Sequence, residues 1–304
     1  MGAGDVAWRH AAAVAAVDGL SLVAVADRAG SRARALAAAY RSEAVDSLDE
    51  VLALADLVVL AVPHALHRPM AMRAVEAGRR VLVEKPLATT AADCDRMIAA
   101  GGDLLHVGQQ GRFFAQVRAA KAALGGLGEP LLYVERRSTS YRRADRPAWF
   151  ADRDLAGGGI AMLVGVHSID RASWLLDAAV REVAGTVAAP DGWPVETSAA
   201  ATLYLNRNLR AHLTLVDSPS FVHETTIVCS RGTLTVDGSG LTVDGRRVLT
   251  VDGDQEYTAS FRRQYEALLR GEPVATLAEG RRAVAAVEAL YRSAAAGGLP
   301  VPLE

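Results

Sequence analysis

The chain has 304 residues, 51% of them hydrophobic, and a formal net charge of −2. That length and apolar content suffice for two cores, and the near-neutral charge removes the electrostatic footprint of a protein that binds nucleic acid or an anionic membrane. Cys94 and Cys229 form no CxxC and no Cys/His cluster, and no apolar run reaches the roughly 18 residues of a membrane span, so a soluble cytoplasmic protein is expected.

In chain order, residues 20–28 (LSLVAVADR) read as a buried strand and 32–40 as a helix. Ser47 and Glu50 form a capping box ahead of VLALA, and 57–63 (LVVLAVP) is the next buried strand. A helix over 69–78, a strand ending in Glu84-Lys85-Pro86, a helix capped by Thr90 and Asp93, and a short strand over 104–110 follow. Strands spaced by helices predict a parallel sheet covered on both faces. Beyond about residue 115, runs rich in Thr, Val and Tyr (130–141, 200–218, 224–238, 241–253) are broken by Gly and Asp-Gly, predicting a mostly antiparallel sheet. The repeated TVDG at 235–238, 242–245 and 250–253 reads as three hairpin turns, and Thr276 with Glu279 caps a closing helix over 276–297. The predicted domains are therefore 1–114 and 115–304.

Gly2-Ala3-Gly4-Asp5-Val6-Ala7 matches G-x-G-x-x-A at the mouth of a helix, where glycines let backbone approach a pyrophosphate. Asp27, about 20 positions on at a strand end, is placed to bind a ribose hydroxyl, which favours NAD. The adjacent Arg28 suits adenine stacking or a 2′-phosphate and keeps NADP open. The fingerprint should follow a strand, yet only Met1 precedes it. A central strand is therefore expected upstream of Met1.

Of 33 Lys and Arg residues only Lys85 and Lys121 are lysines. Together with Glu84-Lys85-Pro86, the segments GAGDVAWRHAAA, VAVADR, AVPHALHRPMAMRAVEAGRRVLVEKPLATT, VGQQGRF, GGGIAMLVGVHSID and AVAAVEALYRSAAAGGLPVPL resemble the Gfo/Idh/MocA oxidoreductases over nearly the whole length. The resemblance implies a Rossmann domain followed by an α/β domain with a large open sheet used for oligomer contacts, here a homodimer or homotetramer. It implies hydride transfer between NAD(P) and a secondary alcohol or ketone of a sugar, cyclitol or other polyol.

Within that resemblance Lys85 points at the nicotinamide and the reacting carbon. Its compact ammonium can polarise a carbonyl or share a proton, whereas a guanidinium stays protonated and is broader. Pro86 is expected to aim the backbone through a cis Lys85–Pro86 bond, and Glu84 to hold backbone or cofactor. His167 is the implied acid/base, and Asp170 caps or orients. Val62, Pro63, His64 and His67 belong to the cofactor-lining turn, with Pro63 and His64 against the nicotinamide ribose and His67 capping or packing. A metal at His64 and His67 is not expected, since no third ligand accompanies them. Arg112, Tyr141, Arg142, Arg143 and Trp149 are expected over the cleft, suiting a polyhydroxylated or anionic substrate, with Tyr141 a reserve proton donor.

The chain departs from the family at Leu163, where many sugar and polyol dehydrogenases carry an Asp four residues before the His. On an α-helix that Asp would share a face with His167. Leu163 and the absent first strand keep open a catalytically impaired cofactor-binding regulator or scaffold. The resemblance, through relatives that cleave glycosides by transient oxidation at a ring carbon, keeps open a redox-neutral glycosidase that retains NAD.

Overall fold

Short buried strands alternating with helices build the first third. The computed structural model describes residues 1–140, 146–272 and 274–304. α1 (Asp5–Ala15) leads to β1 (Ala24–Val25), α2 (Gly30–Tyr40), β2 (Glu43–Ala44), α3 (Leu48–Leu54) and β3 (Leu57–Leu60). α4 (His67–Glu76), β4 (Arg80–Val83), α5 (Ala91–Gly101) and β5 (Leu105–Val107) complete it. β1 pairs with β2, and β3, β4 and β5 form a second ladder, all in parallel. Val81, Leu82 and Val83 are fully buried, as a strand covered on both faces requires. Burial of each such side chain contributes about 1.5–3 kcal/mol.

Met1 and Gly2 lie between the two ladders. The Gly2 N–H donates to Ala26 O at 2.8 Å, and the Ala61 N–H donates to Met1 O at 2.9 Å. The strand expected over 20–28 is reduced to Ala24–Val25.

α6 (Ala115–Leu127) opens the remaining two thirds, followed by β6 (Pro130–Thr139), α7 (Arg153–Ala156), α8 (Val166–Leu176), β7 (Val180–Ala188), β8 (Ser198–Leu205) and β9 (Arg210–Asp217). The hairpins β10 (His223–Cys229), β11 (Gly232–Asp237), β12 (Gly240–Val243) and β13 (Arg246–Thr250) precede α9 (Gly253–Leu269), α10 (Leu277–Ala295) and β14 (Val301–Pro302). Among the described residues nine strands join in the order β13-β12-β11-β10-β6-β9-β8-β7-β14. Every pair is antiparallel except β6 with β9.

Burial alternates along β8 and β9 because one face takes α8 and α10 and the other is open. Small residues let α10 sit close: a Cβ on Gly185 would lie 2.6 Å from Leu290.

Two turn expectations are met and one is corrected. Asp237 accepts from Ser239 N–H at the first TVDG, and Asp244 and Gly245 carry positive φ (47° and 75°) at the second, as a tight hairpin demands. The third TVDG is no hairpin: Asp252 caps α9, accepting from the N–H groups of Asp254 and Gln255. An Asp before a Gly serves either purpose, and here apolar spacing continues as a helix. α9 then turns back to α1, where Phe261 and Tyr265 pack on His10.

Candidate active site

The helix mouth is shaped by its two glycines. Gly2 has φ +88°, and a Cβ there would lie 2.1 Å from the Ala61 carbonyl oxygen. Gly4 precedes α1 with no side-chain cap, and a Cβ on it would meet nothing within 4 Å. The mouth of α1 is therefore open beside Gly4, the arrangement that can receive a pyrophosphate at a helix N-terminus. Asp27 accepts from Ala3 N–H at 2.8 Å and from Ala29 N–H at 2.7 Å, one bond per oxygen, leaving acceptor capacity for a ribose hydroxyl. Arg28 is exposed. At the rim Arg146 Nη1 donates to Asp5 at 3.0 Å and offsets the carboxylate beside the mouth.

A cleft of about 1080 Å³ runs from Asp5 and Val6 past Val62, His64, Glu84 and Lys85 to His167. The Lys85–Pro86 peptide is cis, as expected. Lys85 Nζ donates to the carbonyl of Leu163 at 2.9 Å. Burial lowers Lys85 from 10.5 to about 8; Glu84 opposes the fall and Arg137 adds to it. His167 is held well below its ordinary value by burial and then by Lys85, Arg137, Arg171 and His223. At neutral pH the site thus offers an ammonium that gives up its proton readily beside a neutral imidazole.

The turn after β3 holds its histidines in distinct ways. Pro63 begins the turn. His64 Nδ1 donates to Ala156 O at 2.7 Å, while its ring meets Trp149 edge-on at 4.9 Å between centroids. Burial, His67 and Lys85 hold His64 neutral. His67 is fully buried, its nitrogens facing Pro86 O at 2.8 Å and Val62 O at 3.1 Å, a packing role. No cluster of three His, Cys, Asp or Glu able to hold a metal occurs among the described residues.

Leu163 belongs to a π-helical turn, Ala161–Gly165, before α8, and it is not among the residues that line the cleft with His167. Its side chain lines a smaller cavity of about 230 Å³, and its backbone carbonyl holds Lys85. The three glycines ahead of this turn permit close packing. A Cβ on Gly159 would sit 2.0 Å from Glu196 O, and the Glu196 carboxylate accepts from the N–H groups of Gly159 and Ala161.

Arg112 does not reach the cleft. Its Nε donates to Asp170 at 2.9 Å and its Nη1 to Glu279 at 3.1 Å, joining the turn after β5 to α8 and α10. Burial works against its charge, but Asp170 and Glu279 outweigh burial and raise its pKa. Asp170 is thus the anchor of an ion pair. Trp149 lines the cleft as expected. Tyr141, Arg142 and Arg143 lie outside the described residues.

Several site groups escaped the sequence reading. His10 on α1 joins Glu84 Oε1 at 2.9 Å through Nε2, and the Tyr265 hydroxyl at 2.8 Å through Nδ1. An ionised carboxylate only accepts, so Nε2 carries the proton. Burial favours the neutral Glu84, but the His10 bond and the charges of His10, Lys85 and His67 hold its pKa below the ordinary value. The signal for His10 was its place on the Ala7–Ala11–Val14 buried stripe of α1. Arg171 follows His167 by one helical turn, and Gln110, Gln116, Arg137 and His223 also line the cleft.

Matches to two family models cover this architecture: an oxidoreductase family with an NAD-binding Rossmann fold over residues 1–103, and the GFO/IDH/MocA C-terminal domain over 114–235. The chain belongs to the Gfo/Idh/MocA oxidoreductase family. Residues 1–103 match that family's NAD-binding domain. Among Gfo/Idh/MocA relatives, inositol 2-dehydrogenase 1 of Saccharopolyspora erythraea is 36% identical over 177 residues, covering 55% of this chain and 50% of that protein. D-glucoside 3-dehydrogenase of Escherichia coli is 33% identical over 187 residues, covering 58% and 52%. The chain spans about half the length of these curated relatives. The WlbA dehydrogenase of Bordetella pertussis, solved with NADH and UDP-GlcNAcA, superposes with a TM-score of 0.86 at 25% identity, covering 100% of this chain and 96% of that one.

Proposed function

We propose that this protein is an NAD-dependent oxidoreductase acting on a secondary alcohol or ketone of a polyhydroxylated small molecule, a sugar or cyclitol. The observation that carries this reading is that Lys85 and His167 line the same cleft as the open mouth of α1. The bound nicotinamide supplies hydride acceptance and donation. Asp5, Val6, Val62, His64 and Glu84 line the nicotinamide path, while Gly2, Ala3, Gly4 and Asp27 shape the pyrophosphate and ribose end. Pro63 and His67 fix the turn between them. Asp27 favours a ribose diol over a 2′-phosphate, so NAD is preferred to NADP despite Arg28.

On the chain's side, neutral His167 takes the hydroxyl proton as the C–H bond breaks, and the Lys85 ammonium stabilises the oxygen that is left. In the reverse direction the same groups return the proton to the ketone oxygen. Trp149 offers a flat face to a sugar ring. That relatives are inositol and glucoside dehydrogenases supports the polyol class.

The working units are residues 1–114, which hold the dinucleotide, and 115–304, which hold the substrate and self-associate. The open sheet face, with Leu132 and Val216 each over a third exposed, suits a homodimer or homotetramer. No described helix is long and apolar enough to cross a membrane, in keeping with the proposed cytoplasmic setting.

Nicotinamide absorbance in the presence of a polyol and keto-sugar panel tests the reading. Turnover lost in both Lys85→Ala and His167→Asn, with NADH binding retained, supports it. Undiminished turnover in either variant refutes the assigned roles.

A further inference from the structure

Two arginines set into the fold are matched by carboxylates. Arg112 meets Asp170 and Glu279, and the half-buried Arg263 meets Glu256. Arg171 breaks the pattern. It is 5% exposed and lines the cleft on α8, yet it forms no ion pair with a carboxylate among the described residues. Its Nη1 contacts His223 Nε2, and its Nε has no hydrogen-bond partner.

The nearby anion is committed elsewhere. Glu135 is fully buried and accepts from the hydroxyls of Tyr133 at 2.7 Å, Ser168 at 2.6 Å and Thr225 at 3.4 Å. Its approach to His223 is 3.9 Å, and burial, Arg171 and Arg137 hold that histidine well below its ordinary value. Arg137 stands opposite His223 in the β6–β10 register and lines the same end of the cleft. Three cationic side chains, Lys85, Arg137 and Arg171, therefore converge around His167. Of these, Arg171 is the one that is buried with no carboxylate paired to it among the described residues, which is costly, and its guanidinium fork matches an oxyanion. Beside them Gln110 Oε1 and Gln116 Oε1 are buried acceptors without partners, suited to hydroxyl donors.

Resting on the oxidoreductase reading, we infer that the substrate is an acidic polyol whose oxyanion, a carboxylate or a phosphate, is held against Arg171 beside His167. Arg171 and Arg137 select the charge, and Gln110 and Gln116 read the hydroxyls.

The test is calorimetric titration of the NADH-loaded protein with D-glucuronate, D-glucose 6-phosphate and D-glucose. One of the two acids is expected to bind about 100-fold more tightly than glucose. Which acid it is separates carboxylate from phosphate. Arg171→Met is expected to erase the preference while Arg171→Lys keeps part of it; circular dichroism confirms the fold, and Arg137→Met is the second probe should Arg171→Met not fold. Glucose binding as tightly as both acids, or a preference unchanged in both methionine variants, overturns the proposal. Turnover of the same compounds is read separately: acid selectivity without nicotinamide reduction leaves the anion site standing and refutes the dehydrogenase reading instead.

Discussion

His10 and Glu84 meet at 2.9 Å beneath the cleft, joining α1 to the residue that precedes Lys85. Tyr265 on α9 closes the other side of the imidazole, so three distant segments fix one carboxylate. Glu84 is the charge that keeps the Lys85 pKa from falling further. His10→Ala leaves a buried carboxylate and a buried phenol without their partner, which is expected to cost about 2–4 kcal/mol in chemical unfolding. Glu84 then protonates more readily and Lys85 loses its proton at lower pH. The alkaline limb of kcat/KM should move down in pH, a shift that mere destabilisation of the fold would not produce.

Lys85 itself is held at a cost to stability. Its folded pKa is about 8, against 10.5 ordinarily, so protonation favours the unfolded chain. Between those values the unfolded state binds more protons, and this group's contribution makes stability rise as pH rises through that window. Below it the penalty is complete, on the order of 3 kcal/mol. Lys85→Met should therefore melt higher than wild type at pH 7 while losing turnover. A lower melting temperature would contradict the desolvated ammonium.

Arg112 is expected to behave as a clamp. Arg112→Ala strands Asp170 in the interior and should cost about 3–5 kcal/mol. Turnover per folded molecule and KM should change little. A large KM effect in a protein of unchanged stability would return Arg112 to the substrate site.

Gly159→Ala brings a Cβ to 2.0 Å from a backbone oxygen of Glu196, which cannot rotate away. The expected destabilisation is about 2–3 kcal/mol. Because the π turn carries the Leu163 carbonyl that holds Lys85, kcat should also fall.

Much of this was legible in the sequence because local chemistry dictates it. The glycine fingerprint, Asp27, the Thr276 cap and the alternating strands each follow from short-range rules. The exchange of Arg112 for Arg171 shows where reading stops. Arg112 finds its carboxylates 58 and 167 positions away, so only tertiary packing reveals that it is neutralised. Arg171 was accessible in principle, one helical turn beyond His167, but that it pairs with no carboxylate among the described residues is a three-dimensional fact. Leu163 shows a further limit: its backbone carbonyl rather than its side chain meets the lysine, a contact that spacing along the chain does not reveal.

The most direct test of the account uses the scarcity of lysine. With only Lys85 and Lys121 present, a protein labelled with carbon-13 lysine gives two side-chain resonances by NMR, and Lys121→Arg assigns them. The account predicts that the Lys85 signal titrates at about 8. Titration at or above the ordinary 10.5 would show a solvated lysine and contradict its place as the proton-sharing group of the site.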